Sequence, residues 1–102
     1  MKIIKPLPRS AYERNAETYK ILANSKRLEI LNLLREQEMS VEQLVNTLEI
    51  SKPNVSQHLA LLRQAKLVTV RREGINGYYS IIDPRIVEPC RILHELAKKK
   101  IV

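Results

Sequence analysis

The stretch SVEQLVNTLEISKPNVSQHLALLRQ, residues 40–64, decides the fold. Ser40 and Gln43 have the spacing of a capping box, in which a serine hydroxyl and a glutamine side chain satisfy free N–H groups at a helix start. Val41, Leu44, Val45 and Leu48 follow at helical spacing and predict a short helix with one buried side. Glu49-Ile50 leaves room only for a tight connection before Ser51, a second cap. Pro53 falls in the next first turn, where a missing N–H is harmless. Val55, Leu59 and Leu62 are the inward positions of this second helix. Two short helices joined in this way form a helix-turn-helix. Subtracting the inward positions leaves Lys52, Asn54, Ser56, Gln57, Ala60 and Arg63 facing out, with His58 at the border.

Upstream, Leu28, Ile30, Leu31, Leu33 and Leu34 form an apolar stripe broad enough for a central core helix, capped by Asn24 or Ser25. A first helix is expected over Ser10–Leu22, with Ser10 as its cap and Glu13 at capping-box spacing; Tyr12, Ala16, Tyr19 and Ala23 share one face. Residues 1–9, with two prolines, read as an extended arm.

Downstream of Ala65-Lys66 the apolar period changes from 3.6 to 2. Val68 and Val70 alternate with Thr69 and Arg71, and Tyr79 and Ile81 with Tyr78, Ser80 and Ile82. Between them Glu73–Gly77 holds both glycines of the chain. Asn76-Gly77 is a hairpin signal, because both residues tolerate positive φ. A hairpin is therefore expected over 67–82. Pro89 blocks an uninterrupted helix from residue 84, so a turn at 84–88 and a helix at 89–100 are expected. Cys90, Leu93, Ala97 and Ile101 line one face of that helix, and Lys98-Lys99-Lys100 suits the negative end of its dipole. The order is α-α-α-α-β-β-α, mainly α with a small β-hairpin wing, in one domain spanning 1–102.

With 102 residues, no Trp, no Phe and four Tyr, the core must be aliphatic. A chain this short buries limited surface and gains from a core shared in a dimer. The formal charge of +7 favours a polyanionic partner. Its distribution says more. Residues 25–50 carry five acids and three bases, whereas residues 51–72 carry five bases and no acid, the pattern of an electrostatic footprint. No run approaches the roughly 18 apolar residues of a membrane span, and the N-terminus lacks the apolar stretch of a signal peptide. Cys90 is the single cysteine, which excludes an internal disulfide and suits a reducing compartment. A cytoplasmic protein without membrane attachment is expected. Two His and two Gly do not assemble a catalytic triad, a phosphate loop or a carboxylate pair in a cleft, so no enzyme is expected.

The second helix of a helix-turn-helix enters the major groove of duplex DNA. Gln and Asn bond adenine bidentately and Ser adapts to base or phosphate. The candidate DNA-binding residues are Lys52, Asn54, Ser56, Gln57, His58 and Arg63, with Arg71 and Arg72 opening the hairpin as backbone grips. Three rival readings remain: a merely solvated helix face, a winged-helix protein-interaction module without specific DNA binding, and RNA binding. Tyr78-Tyr79, the only adjacent aromatic pair, is the sole stacking platform for RNA.

Three runs resemble the ArsR/SmtB-type regulators. Leu22–Leu31 (LANSKRLEIL) is similar to their opening signature, Val55–Val68 (VSQHLALLRQAKLV) to their recognition helix, and Arg71–Gly74 through Tyr78–Ile81 to their wing. The resemblance spans about residues 15 to 82. It implies a winged helix-turn-helix, a homodimer formed through the first and last helices, and repression at imperfect palindromic operators, relieved by an inducer. It also implies Ser56, Gln57 and His58 as groove or phosphate contacts.

The resemblance raises the question of the sensor. The family's Cys-x-Cys metal pair would fall at Ser40 and Glu42, and a serine cannot replace a soft thiolate. A second family site uses Asp, His and Glu near the last helix; Asp83, His94 and Glu95 are present, but Arg85 stands where a histidine is needed. Cys90 and His94, four apart, could give two thiolates and two imidazoles to one metal ion across a twofold. The other readings of Cys90 are a redox switch for a thiol-reactive inducer and, as is more usual for a lone cysteine on an apolar stripe, a small packed hydrophobe with His94 at its edge.

Overall fold

A computed structural model of the chain describes residues 6–100. Its elements are α1 (Arg9–Leu22), α2 (Ser25–Glu36), β1 (Met39–Ser40), α3 (Val41–Leu48), α4 (Lys52–Gln64), β2 (Val68–Glu73), β3 (Asn76–Ile81), a 3-10 turn (Pro84–Val87) and α5 (Glu88–Lys98). Among these residues no helix is long and apolar enough to cross a membrane.

The capping chemistry read from the sequence sets three helix starts. Asn24 Oδ1 accepts from the N–H groups of Lys26 and Arg27 at 3.0 and 3.1 Å and starts α2. Ser40 Oγ accepts from Gln43 N–H at 3.2 Å while Gln43 Oε1 accepts from Ser40 N–H at 2.8 Å, a complete capping box on α3. Ser51 Oγ accepts from Asn54 N–H at 3.3 Å and starts α4. The expected cap at Ser10 is not formed. Helix α1 already begins at Arg9, and Ser10 lies inside it. Pro8, at φ −59°, has no side chain that can cap, so Ala11 N–H turns back onto the Pro8 carbonyl at 2.9 Å. Of the expected arm, residues 1–5 lie outside the described residues; residues 6–8 carry no regular structure, and Arg9 belongs to the helix. Ile101, assigned to the face of the last helix, also lies outside.

The sheet differs from the expected hairpin in two ways. It has three antiparallel strands in the order β1-β3-β2; the extra strand β1 pairs Met39 with Tyr79 and Ser40 with Tyr78. The turn falls on Gly74-Ile75, and Asn76-Gly77 belong to β3, with Glu73 opposite Asn76. Gly74 alone supplies the positive φ, +61°, as the first position of a type II′ turn requires. Packing selects this register: Val68 faces Ile81 and Val70 faces Tyr79. A turn centred on Asn76-Gly77 would set Val70 against Asp83. Gly77 serves close approach instead, since a Cβ there would stand 3.0 Å from Arg72 Nη1.

The core is Ile30, Leu31, Leu34, Met39, Leu44, Val55, Leu59, Leu62, Leu67, Val68 and Val87. It joins α2, α3, α4, the sheet and the 3-10 turn. Neither α1 nor α5 contributes a buried residue. Tyr12 and Tyr19 on α1 are 52% and 63% exposed, and Ile92 and Leu93 on α5 are 55% and 56% exposed. The radius of gyration, 15.8 Å, exceeds the roughly 13 Å of a spherical domain of this length. Helix α5 starts at Glu88, directly on the 3-10 turn and one residue before the expected Pro89, and ends at Lys98.

Two left-handed residues make the tight connections. Glu49 (φ 56°, ψ 39°) closes α3 with its N–H on the Val45 carbonyl at 2.9 Å, and Lys66 (φ 62°) turns the chain from α4 into β2. For an L-residue this conformation costs about 1–2 kcal/mol. Glu49→Gly removes that strain and loses part of the gain to a more flexible unfolded chain, so urea unfolding should show a net stabilisation of roughly 0.5–1 kcal/mol.

Candidate nucleic-acid interface

Helix α4 lies with Val55, Leu59 and Leu62 buried, so its other side is presented outward. Lys52, Asn54, Ser56, Gln57, Ala60 and Arg63 are all exposed. Lys52, Ser56, Ala60 and Arg63 repeat at four, four and three and form one stripe, with Asn54 and Gln57 on the adjoining one. No acid occurs in the first turn of α4, where free N–H groups and the helix dipole favour an anion.

Arg72, twenty residues beyond Lys52, reaches the same place. The two line one cleft of about 350 Å³ together with Ser40, Val41, Glu42, Ile75, Asn76, Gly77 and Tyr79. Helix start, wing tip and the first turn of α3 thus form a continuous surface.

The basic stretch 51–72 is acid-free in sequence but not in space. Lys52 Nζ stands 3.0 Å from Glu42 Oε1 on α3. Arg71 is held more completely. Its Nη2 donates to Glu38 Oε1 at 2.6 Å, its Nε to Glu38 Oε2 at 3.4 Å, and its Nη1 to Glu73 Oε2 at 2.6 Å, while the guanidinium lies 4.9 Å from the Tyr78 ring centroid. Hydrogen bonding from Arg71 lowers the Glu38 pKa, and bonding to Glu38 and then Glu73 raises that of Arg71. Among the described residues, Arg63, Lys66 and Arg72 form no ion pair.

His58 lies at the edge of α4 that faces α2. It is half-buried, and its Nδ1 stands 3.4 Å from Arg27 Nη1 on α2. A guanidinium can only donate, so Nδ1 accepts and the ring proton sits on Nε2. Arg27 Nε also donates to the Ile21 carbonyl of α1 at 2.6 Å. Burial first, and the Arg27 charge second, push the His58 pKa below its usual value.

Sequence reasoning missed Glu38, Glu42 and Arg27, which act on residues 10 to 33 positions away, where no local pattern could reveal them. Glu73, two residues from Arg71 on one strand, did carry a signal: residues at i and i+2 share a strand face.

Residues 24–70 match the family described as bacterial regulatory protein, arsR family. The chain is 37% identical over 86 residues to the uncharacterized HTH-type transcriptional regulator MJ1325 of Methanocaldococcus jannaschii, covering 83% of this chain and 97% of that one. The chain belongs to the ArsR family. Solved structures agree with this regulator in fold and in sequence. HlyU of Vibrio cholerae superposes with a TM-score of 0.76 at 34% identity, covering 87% of this chain and 97% of that one. The homodimeric winged helix-turn-helix DNA-binding domain Mb0332 of Mycobacterium bovis superposes at 0.74 with 29% identity, covering 95% and 92%. This ArsR-family chain is a winged helix-turn-helix transcriptional regulator, a class of DNA-binding proteins.

The positions where the family can carry metal ligands have other partners in this regulator. Ser40 caps α3 and Glu42 binds Lys52. Asp83 receives Arg85 Nε at 3.2 Å and Nη2 at 2.8 Å, together with the Arg85 N–H at 2.9 Å. These bonds hold its pKa down to about 2. Cys90 and His94 line an open groove of about 790 Å³ beside Leu28, Leu33 and Leu48, and Cys90 is half-buried. Among the described residues no three His, Cys, Asp or Glu side chains cluster as a metal site.

Because the folded state holds the His58 pKa below its unfolded value, His58 stabilises the fold above its usual range, near pH 6.5. That contribution is lost as the pH falls through the depressed pKa. Between pH 7.5 and 5 the wild-type melting temperature should fall further than that of His58→Asn, whose Oδ1 accepts without titrating. Equal falls would exclude His58 as the responsible group.

Proposed function

We propose that this ArsR-family regulator works in the cytoplasm as a homodimer, binds a palindromic operator in double-stranded DNA, and represses by occupying the promoter. The observation that carries the reading is the joining of the polar outer face of α4 and Arg72 into one surface beside the first turn of α3. Asn54, Ser56 and Gln57, at the start of the exposed face, are the base-edge readers, and Lys52, Arg63 and Arg72 the phosphate contacts.

Dimer formation is supported by the two terminal helices, which leave Tyr12, Tyr19, Ile92 and Leu93 largely uncovered on a protomer whose core excludes both. Covering the exposed half of an aliphatic side chain such as Ile92 or Leu93 gives roughly 1 kcal/mol. If a metal ion controls the dimer, Cys90 and His94 supply only two donors per protomer, so both copies must contribute to a tetrahedral set. A thiol-reactive inducer would act on Cys90 alone.

The two wing arginines have different roles in this proposal. Arg71, tied to Glu38 and Glu73, braces the wing, and Arg72 grips the phosphate. Gel shifts on the upstream DNA over a salt series test this. Arg72→Ala should reduce the slope of log affinity against log salt by about one, as loss of one phosphate contact does. Arg71→Ala should weaken binding without changing the slope. The reverse pattern would exchange the two assignments, and wild-type binding without salt dependence would refute the function.

A further inference from the structure

We infer that Arg27 is a positioning residue for the recognition helix, bridging the Ile21 carbonyl at the end of α1 to the His58 Nδ1 of α4. It follows that His58 serves operator binding through Arg27 and not by touching DNA. The inference rests on the DNA-binding reading above.

Three observations place Arg27 in this role. First, Ile21 is the penultimate residue of α1, so its carbonyl is one of the last four without a partner inside the helix; Arg27 Nε supplies that partner at 2.6 Å. Second, the same guanidinium reaches His58 at 3.4 Å. Its two bonds leave from one rigid plane, so a single group ties the end of α1 to the side of α4, whose rotation the buried stripe already fixes. Third, α1 meets the core only through half-buried Ile21 and Leu22 at its C-terminal end, the same end that Arg27, half-buried and anchored near the α2 start by its own N–H on Asn24 Oδ1, holds.

The consequence is functional as well as structural. In the proposed dimer, α1 belongs to the interface and α4 to the DNA. A group bonded to both determines how the two recognition helices are presented relative to one another. Such a group affects binding to a correctly spaced palindrome, where both helices must fit at once. It leaves attraction to arbitrary duplex, which depends on phosphate charge, unchanged.

Three variants separate this role from a DNA contact: Arg27→Lys, His58→Asn and His58→Leu. Lysine keeps the charge but replaces the planar fork by one nitrogen on a flexible stem, which lacks the fixed geometry that meets both acceptors at once. Asparagine keeps an acceptor two bonds from Cβ, as Nδ1 is, and loses the Nε2–H. Leucine loses both. Affinity is measured at pH 7.5 for the upstream operator and for a random duplex, with thermal melts confirming that each variant folds.

Arg27→Lys and His58→Leu should lose about tenfold in operator affinity, the size expected for a hydrogen bond to a charged group. Random-duplex affinity and the salt slope should stay at wild-type values. His58→Asn should remain within about twofold of wild type if the acceptor is what matters. A His58→Asn loss as large as that of His58→Leu would show that the Nε2–H touches DNA, and an unchanged Arg27→Lys would show that no bridge is needed; either overturns the inference. If His58→Leu does not fold, the contrast between Arg27→Lys and His58→Asn decides. Wild-type protein that fails to prefer its operator over random duplex would refute the DNA-regulator reading itself, a result distinct from these.

Discussion

Burial of the inner stripe of α4 is the constraint on which the remaining structure depends. Val55, Leu59 and Leu62 are almost fully removed from water, in one cluster with Ile30, Leu31 and Leu44. Rotating the helix by one residue position, about 100°, would expose those side chains at roughly 1.5–3 kcal/mol each. That cost fixes the orientation of the outer face. Asn54, Ser56, Gln57 and Arg63 need no further device to point outward. The same cluster takes in Leu67 and Val68, which hold the base of the wing, and Ile82 N–H closes the base on the Leu67 carbonyl at 3.0 Å.

Electrostatics refines that surface without building it. Exposed ion pairs contribute little to stability, so the network around Arg71 is significant for direction and charge and not for energy. Two carboxylates and an aromatic ring hold one guanidinium on one face of the hairpin. Arg72, the next residue on the strand, therefore extends from the other face, over Gly77 and into the cleft shared with Lys52. Counting charge along residues 51–72 overstates the positive field, because Glu38, Glu42 and Glu73 approach it from outside that window.

The legible parts of the sequence were those governed by local chemistry. Ser51, Pro53 and the 3.6-residue stripe gave α4 to within a residue, and Ser40 with Gln43 gave the start of α3. The failures share a cause. Strand β1 is two residues long and exists only through its pairing with β3, so it has no period of its own. Asn76-Gly77 is a strong local turn signal overridden by the pairing of Val70 with Tyr79, which needs the turn at Gly74. Ser10 had the right spacing for a cap, but the helix begins earlier, at Arg9, with Pro8 in the cap position. At the site, the outward residues of α4 followed from subtraction, whereas the engagement of Arg71 with Glu38 and of His58 with Arg27 depends on tertiary contacts. Those contacts span 33 and 31 residues.

A protomer whose terminal helices lie outside its core, and whose reading helix faces outward, is built to act in pairs on one duplex. Hydroxyl-radical footprinting of the upstream operator tests this most directly. Two symmetric patches on the same face of the DNA, with centres separated by about one helical turn or a multiple of it, are expected. A single patch, or two on opposite faces of the duplex, would contradict the claim that two copies of α4 read one operator together.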